Sequence, residues 1–230
     1  MLAISRIEFV VSARLTAKSH RAPTLLRRVL SWIASPLHGV LFLLILLVTH
    51  PLVIFAQAVF GRRGFYAILK LHNLLHLLNM KLAGTRIDVQ FEAPLPETGA
   101  VIYVANHQSM YDIPFLIWFL RKRMPHFIAK IELKSFIPFI SYALRNGGHL
   151  IIDRGDRRSS IEAIQEYARE MDLARSAVCI FPEGTRAKDG VLKKFKTGGL
   201  VSLIENMPHA TVVPITLDGT WAIVRNKFCP

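Results

Sequence analysis

From Val29 to Gly61 the chain carries no Asp, Glu, Lys or Arg. A charge-free run of that length has few stable destinations: the hydrocarbon of a bilayer, or a helix buried among other elements. Its centre, "GVLFLLILLV" (Gly39 to Val48), is as apolar as a membrane segment. A helix over Leu37 to Phe60 would reach across about 30 Å of hydrocarbon. Pro36, His38, His50 and Pro51 interrupt the pattern, and proline inside a helix kinks or ends it. A true span and a re-entrant or deeply embedded helix therefore both fit the sequence.

The charge distribution follows the same segment. The 230 residues carry a formal net charge of +13. Residues 1–90 hold 11 of the 29 Lys and Arg but 2 of the 16 Asp and Glu. Arg21, Arg27 and Arg28 precede the apolar run, and Arg62 and Arg63 follow it. Basic residues beside a membrane segment attract anionic lipid by about 1 kcal/mol each. A bilayer surface accounts for charge and hydropathy together, whereas a nucleic-acid partner accounts only for charge. No interleaved aromatic and basic binding motif accompanies it. The two cysteines, Cys179 and Cys229, are too few for a disulfide framework and fit a reducing compartment. Cys179, inside "AVCIF", reads as a small apolar residue of a buried strand. The run starts too far from Met1 to resemble a cleavable signal.

Met1 to Arg28 reads as a basic, partly amphipathic lead-in without a clear structural pattern. "GFYAILKLHNLLHLLNMKLAG" (Gly64 to Gly84) places leucines at helical spacing and predicts a second, amphipathic helix lying in the membrane interface, ended by Gly84. Beyond it the period changes. "RIDVQFE" alternates like a strand, and "AVIYVA", "HFIAK", "HLIID", "AVCIF" and "TVVPITL" are short β-rich runs. Helical patterns, notably Arg158 to Ala174 and Gly199 to Asn206, lie between them. The expectation is an α/β fold with a central, mostly parallel or mixed sheet flanked by helices. It is preceded by an N-terminal membrane-associated two-helix segment, with residues 1–84 forming the lead-in and helices and 85–230 the α/β domain.

At the end of the "VIYVA" strand stands "NHQSMYD" (Asn106 to Asp112). Five residues of ideal helix turn about 140° off one face. His107 and Asp112 meet only if His107 lies in the turn ahead of the helix. Strand-to-helix junctions are where α/β proteins place their chemistry. An Asp accepting from one imidazole nitrogen leaves the other free to take a proton. The plainer reading is that Asn106, Ser109 and Asp112 cap a helix. A second strand leads into "FPEGTR" (Phe181 to Arg186), where Pro182 and Gly184 allow a tight turn and Arg186 offers a planar fork for phosphate. Taken alone, that segment is a surface turn.

Taken together and in order, these blocks resemble the glycerolipid acyltransferase family, specifically 1-acylglycerol-3-phosphate acyltransferases of the bacterial PlsC type. "NHQSMYD" is similar to the family's first block, a His and an Asp separated by four residues. "GGHLIIDRGD" (Gly147 to Asp156), "FPEGTR" and "VVPITL" (Val212 to Leu217) are similar to the second, third and fourth. The resemblance spans about residues 84–220. It implies transfer of a fatty acyl group from a thioester, acyl-CoA or acyl carrier protein, to the hydroxyl of lysophosphatidate. His107 would be the general base and Asp112 its orienting partner, with direct transfer and no acyl-enzyme. Glu183, Gly184, Thr185 and Arg186 would hold the glycerol phosphate, with Arg154 as a further phosphate contact. Lys130 is a candidate for oxyanion support, and Pro214 would shape the acyl pocket or the sheet end. The same chemistry on glycerol 3-phosphate, a lyso-ornithine lipid or another lysolipid is the alternative, as is a non-catalytic lipid-binding protein.

No cofactor is implied beyond the thioester co-substrate. His72 and His76 stand four residues apart in "HNLLH", but Asn73 replaces the Glu that a metalloprotease helix would use. No metal is therefore expected. "LKKFKTGG" (Leu192 to Gly199) reads either as a basic lip facing lipid phosphate or an acidic acyl donor, or as a solvated charge run. The expected partners are an anionic bilayer surface and the acyl donor, with no nucleic acid. Both donors are cytosolic, so the α/β domain is expected on the cytoplasmic face of a membrane.

Overall fold

Along "VIYVA" alternate side chains go to opposite sides, and both sides are apolar, as a strand covered on both faces requires. In the computed structural model, which describes residues 11–14, 25–187 and 189–224, this segment is β3 (Val101–Ala105), the centre of a seven-stranded sheet. The other strands are β1 (Val11–Arg14), β2 (Asp88–Phe91), β4 (His126–Lys130), β5 (Leu150–Ile152), β6 (Ala177–Ile180) and β7 (Thr211–Asp218). Their order is β2-β1-β7-β3-β6-β4-β5. All neighbours run parallel except β2, which pairs antiparallel with β1. Pro214 lies within β7 opposite Val104 of β3.

Two apolar layers sandwich the sheet. On one side Val101, Tyr103, Cys179, Val213 and Ile215 pack against α1 (Leu25–Leu82), α2 (Asp112–Phe119) and the start of α3 (Ile140–Asn146). On the other, Ile102, Val178 and Ile180 meet α4 (Arg157–Leu173) and α5 (Thr197–Asn206) through Ile164, Ala168 and Leu203. A short helix α6 (Thr220–Val224) follows β7. Burial pushes the Cys179 thiol well above its ordinary range, so it serves as an apolar filler as expected. Cys229 lies outside the described residues.

The N-terminal segment differs from its sequence reading in informative ways. Of the lead-in, Val11–Arg14 forms a strand between β2 and β7, although its four residues give no sequence signal. The helix α1 runs through Pro36 and Pro51 and breaks instead at Gly61, whose φ of 58° and ψ of −144° suit glycine alone. Gly61 reverses the chain into a helical hairpin. The limbs meet so closely that a Cβ on Gly64 would lie 2.1 Å from the Ala56 carbonyl oxygen. The first limb leaves Leu43, Leu44, Leu47, Val48, Phe55 and Phe60 exposed, and α1 is long and apolar enough to cross a membrane. The second limb turns its polar residues inward rather than toward an interface. His72, Asn73, His76 and Asn79 are buried: His72 Nδ1 meets the Thr49 hydroxyl at 2.7 Å, and Asn79 Nδ2 donates to the His38 carbonyl at 3.0 Å. The hairpin covers α2, whose sequence "DIPFLIWF" is apolar nearly all round because it lies between the sheet and α1.

Candidate active site

The chain leaving β3 is clamped before it turns. Asn106 donates to the Leu217 carbonyl at 2.8 Å and accepts from the Leu217 N–H at 2.6 Å, adding a side-chain rung between β3 and β7. His107 follows in the loop, five residues before α2 begins, as its meeting with Asp112 demands. Its Nδ1 lies 2.7 Å from Asp112 Oδ2. That oxygen also accepts the N–H groups of Gln108 at 2.6 Å and Ser109 at 2.9 Å. Asp112 Oδ1 receives the Thr220 hydroxyl at 2.5 Å. Asp112 is wholly buried, while the His107 side chain keeps 19% of its surface open. The capping reading does not hold, since no side chain caps α2; the Asp112 carboxylate instead closes the loop ahead of the helix and holds the ring. A backbone or carboxylate partner on one imidazole nitrogen fixes the tautomer and leaves the other, here Nε2, as the one that can take a proton.

The loop after β6 supplies the second half. Phe181 stacks on the His107 ring with centroids 4.2 Å apart. Glu183 is 1% exposed, and its oxygens each take a backbone N–H, from His107 at 2.7 Å and Lys193 at 2.9 Å. The His107 carbonyl in turn accepts from Ala187 N–H at 2.7 Å. Both backbone polar groups of His107 are therefore held by the "FPEGTR" region. Gly184 has a φ of 68°, and a Cβ there would press on Lys196 at 3.3 Å. Arg154 Nη1 donates to the Gly184 carbonyl. Thr185 and Arg186 are exposed beside it, with Lys193 Nζ on the Arg186 carbonyl at 2.8 Å.

The fold thus brings His107, Asp112, Glu183, Gly184 and Arg154 into one connected network at the carboxyl ends of β3, β5 and β6, the crevice edge that parallel sheets use for ligands. Lys130, at the end of β4, is engaged by Glu132 at 2.7 Å. Thr220 was missed by sequence reasoning. Its signal was the Asp218–Gly219–Thr220 turn after β7, which carries no recognisable pattern without the fold. Another missed contact ties the hairpin to the site: His38 Nε2 lies 2.5 Å from the hydroxyl of buried Tyr111, the residue ahead of Asp112. Among the described residues no cluster of His, Cys, Asp and Glu could hold a metal.

A family model described as Acyltransferase matches residues 86–218. A 1-acyl-sn-glycerol-3-phosphate acyltransferase of Chlamydomonas reinhardtii is 38% identical over 129 residues, which is 56% of this chain and 37% of that protein. The chloroplastic 1-acyl-sn-glycerol-3-phosphate acyltransferase LPAT1 of Arabidopsis thaliana is 30% identical over 202 residues, 86% of this chain and 53% of that one. The Helicobacter pylori enzyme of the same name is 40% identical over 132 residues, 57% of this chain and 54% of that one. The chain spans about half or less of the length of these curated relatives. The crystal structure of the 1-acyl-sn-glycerophosphate acyltransferase PlsC from Thermotoga maritima superposes with a TM-score of 0.51 at 17% identity, covering 83% of each chain, a likeness of fold.

Proposed function

The chain belongs to the acyltransferase family, and we propose that it moves a fatty acyl group from an acyl thioester to the free hydroxyl of lysophosphatidate, giving phosphatidate. The observation that carries this reading is the His107–Asp112 pair: a buried carboxylate with four hydrogen-bond donors aimed at it, one of them an imidazole that keeps 19% of its side-chain surface open. In the proposed reaction His107 Nε2 takes the acceptor's hydroxyl proton as the oxygen attacks the thioester carbonyl. The carbon–sulfur bond breaks, and the imidazolium returns the proton to the leaving thiolate. Asp112 stabilises the imidazolium and keeps the ring in place. His107 serves as a base, so no acyl-enzyme forms.

In this reading Arg154, Thr185, Arg186 and the Gly184 backbone would hold the acceptor's phosphate beside the dyad. Glu183, whose oxygens are occupied by backbone N–H groups, supports the site by fixing the His107 backbone. Lys130 would have to leave Glu132 to serve an oxyanion. The apolar outer face of the hairpin supports membrane association, which suits an acceptor and product that are lipids. Acyl-CoA or acyl carrier protein as donor would put the α/β domain on the cytoplasmic face.

The test is acyl transfer by detergent-solubilised protein, wild type beside His107→Ala, with acyl-CoA and acyl carrier protein as donors. Lysophosphatidate, glycerol 3-phosphate and lyso-ornithine lipid serve as acceptors. Phosphatidate formation that falls about 10²–10⁴-fold in the variant is expected. Turnover only with another acceptor moves the substrate. No transfer from folded protein to any acceptor overturns the enzyme reading in favour of a lipid-binding protein.

A further inference from the structure

We infer that the loop of residues 131–136 between β4 and α3 is a lipid-inserting edge that seats the mouth of the site on an anionic bilayer; this rests on the reading that the acceptor is a lipid. Phe136 is fully exposed and holds a φ of 72°, a left-handed conformation that bulky side chains rarely adopt. Strain of this kind persists only where the surroundings enforce it. Here they do. The Ser141 hydroxyl accepts from Ile137 N–H and donates to the Leu133 carbonyl, each at 3.0 Å, and Arg145 Nη1 donates to the Lys134 carbonyl at 2.5 Å. α3 therefore holds the loop in one shape and projects Phe136 away from the protein. Ile131 and Leu133 are exposed beside it, as are Lys130 and Lys134.

The position of the loop identifies its partner. On one side it continues into the apolar hairpin, because Phe139 N–H donates to His50 Nδ1 at 3.0 Å and the Tyr142 hydroxyl donates to Gln57 at 2.9 Å. On the other side Glu132 lies within electrostatic reach of Arg154, which bonds Gly184 at the site. Across Gly184 stands a second segment of the same character: Val191, Leu192 and Phe195 are exposed between Lys193, Lys194 and Lys196. Apolar tips interleaved with lysines are complementary to an anionic lipid surface, whose acyl region takes the tips and whose headgroups take the charges. An edge continuous with the leucine face of α1 meets the same bilayer.

The experiment places an environment-sensitive nitrobenzoxadiazole label at residue 136 through Phe136→Cys, in full-length Cys229→Ser protein. Cys179 is wholly buried and stays unlabelled. A control label sits at Leu173→Cys, exposed at the end of α4, the opposite end of the sheet. In vesicles of phosphatidylglycerol and phosphatidylethanolamine, the 136 label should be quenched by nitroxide lipids and shielded from iodide, and the 173 label the reverse. Equal iodide access at both positions overturns the proposal. So does shielding of 136 that needs added acyl carrier protein, which would make the edge a protein-docking site. Independently, Phe136→Asp should keep the thermal midpoint yet lower transfer to bilayer-embedded lysophosphatidate about tenfold or more, with little change in detergent micelles. If no variant or wild type transfers acyl groups, the function falls while the label depths still decide the loop.

Discussion

Replacing Glu183 by Gln distinguishes a carboxylate that binds the acceptor from one that builds the site. In the structure its two oxygens accept from His107 N–H and Lys193 N–H in a buried setting. Glutamine is nearly the same shape but keeps one acceptor oxygen, and its NH₂ would face the other backbone N–H. One charge-assisted bond disappears, the survivor weakens, and a buried donor goes unpaired, together about 3 kcal/mol. For a chain of this size that lowers the thermal midpoint by roughly 6–12 °C. On activity, a loosened His107 backbone should lower kcat at least about tenfold at saturating acceptor, with the acceptor KM little changed. Thermal unfolding and steady-state acyl transfer, both in detergent, read these quantities. An unchanged midpoint with unchanged kcat and a raised acceptor KM would refute the reasoning and return Glu183 to direct contact with the glycerol phosphate.

Thr220→Val removes the hydroxyl that donates to Asp112 Oδ1 and should cost about 1–3 kcal/mol in chemical denaturation; kcat should fall while KM holds. Gly64→Ala drives a methyl into the Ala56 carbonyl and should lower the thermal midpoint more than an alanine at the unobstructed Gly39, as a paired melting experiment would show. Burial, and then the charge of His126, hold His149 down at about 3, and its Nδ1 accepts from Phe127 N–H at 3.0 Å. The folded value lies below the unfolded one of about 6.5, so this contribution is complete above that pH. It shrinks as pH falls toward 3, by at most about 1.4 kcal/mol per pH unit. His149→Asn, which retains an acceptor and cannot titrate, should flatten the acid limb of a stability–pH curve; an unchanged limb would refute it.

The α/β pattern and the dyad were legible because both are written in short local periods. Short β-rich runs gave β3, β6 and β7, alternation gave β2, and a His and Asp at five-residue separation required a turn before α2. What escaped were features created by distance along the chain. Thr220 reaches Asp112 across more than a hundred residues, and nothing near it announces the contact. Val11–Arg14 becomes a strand only because β2 and β7 stand on either side of it. Pro36 and Pro51 drew attention as helix breakers, yet packing kept α1 intact through both and left the reversal to Gly61. The second limb looked interfacial because its leucines stand at helical spacing among polar residues, but His72, Asn73, His76 and Asn79 lie inside the hairpin. Glu183 shows the limit of motif reading most plainly: the resemblance implied a contact with the glycerol phosphate, whereas its oxygens accept from the His107 and Lys193 N–H groups.

The hairpin's contact with α2 has a practical side. Tyr111, Phe115 and Leu116 are dry because α1 lies over them, and among the described residues β2 reaches the sheet through β1. Trimming the chain at residue 84 to obtain a soluble enzyme would strip the roof from α2 and orphan an edge strand in the same cut. Under the proposed membrane association, detergent chosen to extract this protein would have a second duty: to replace lipid on the outer leucines without prying the hairpin from Tyr111. Purification conditions that loosen the hairpin would then be read, mistakenly, as a weak enzyme.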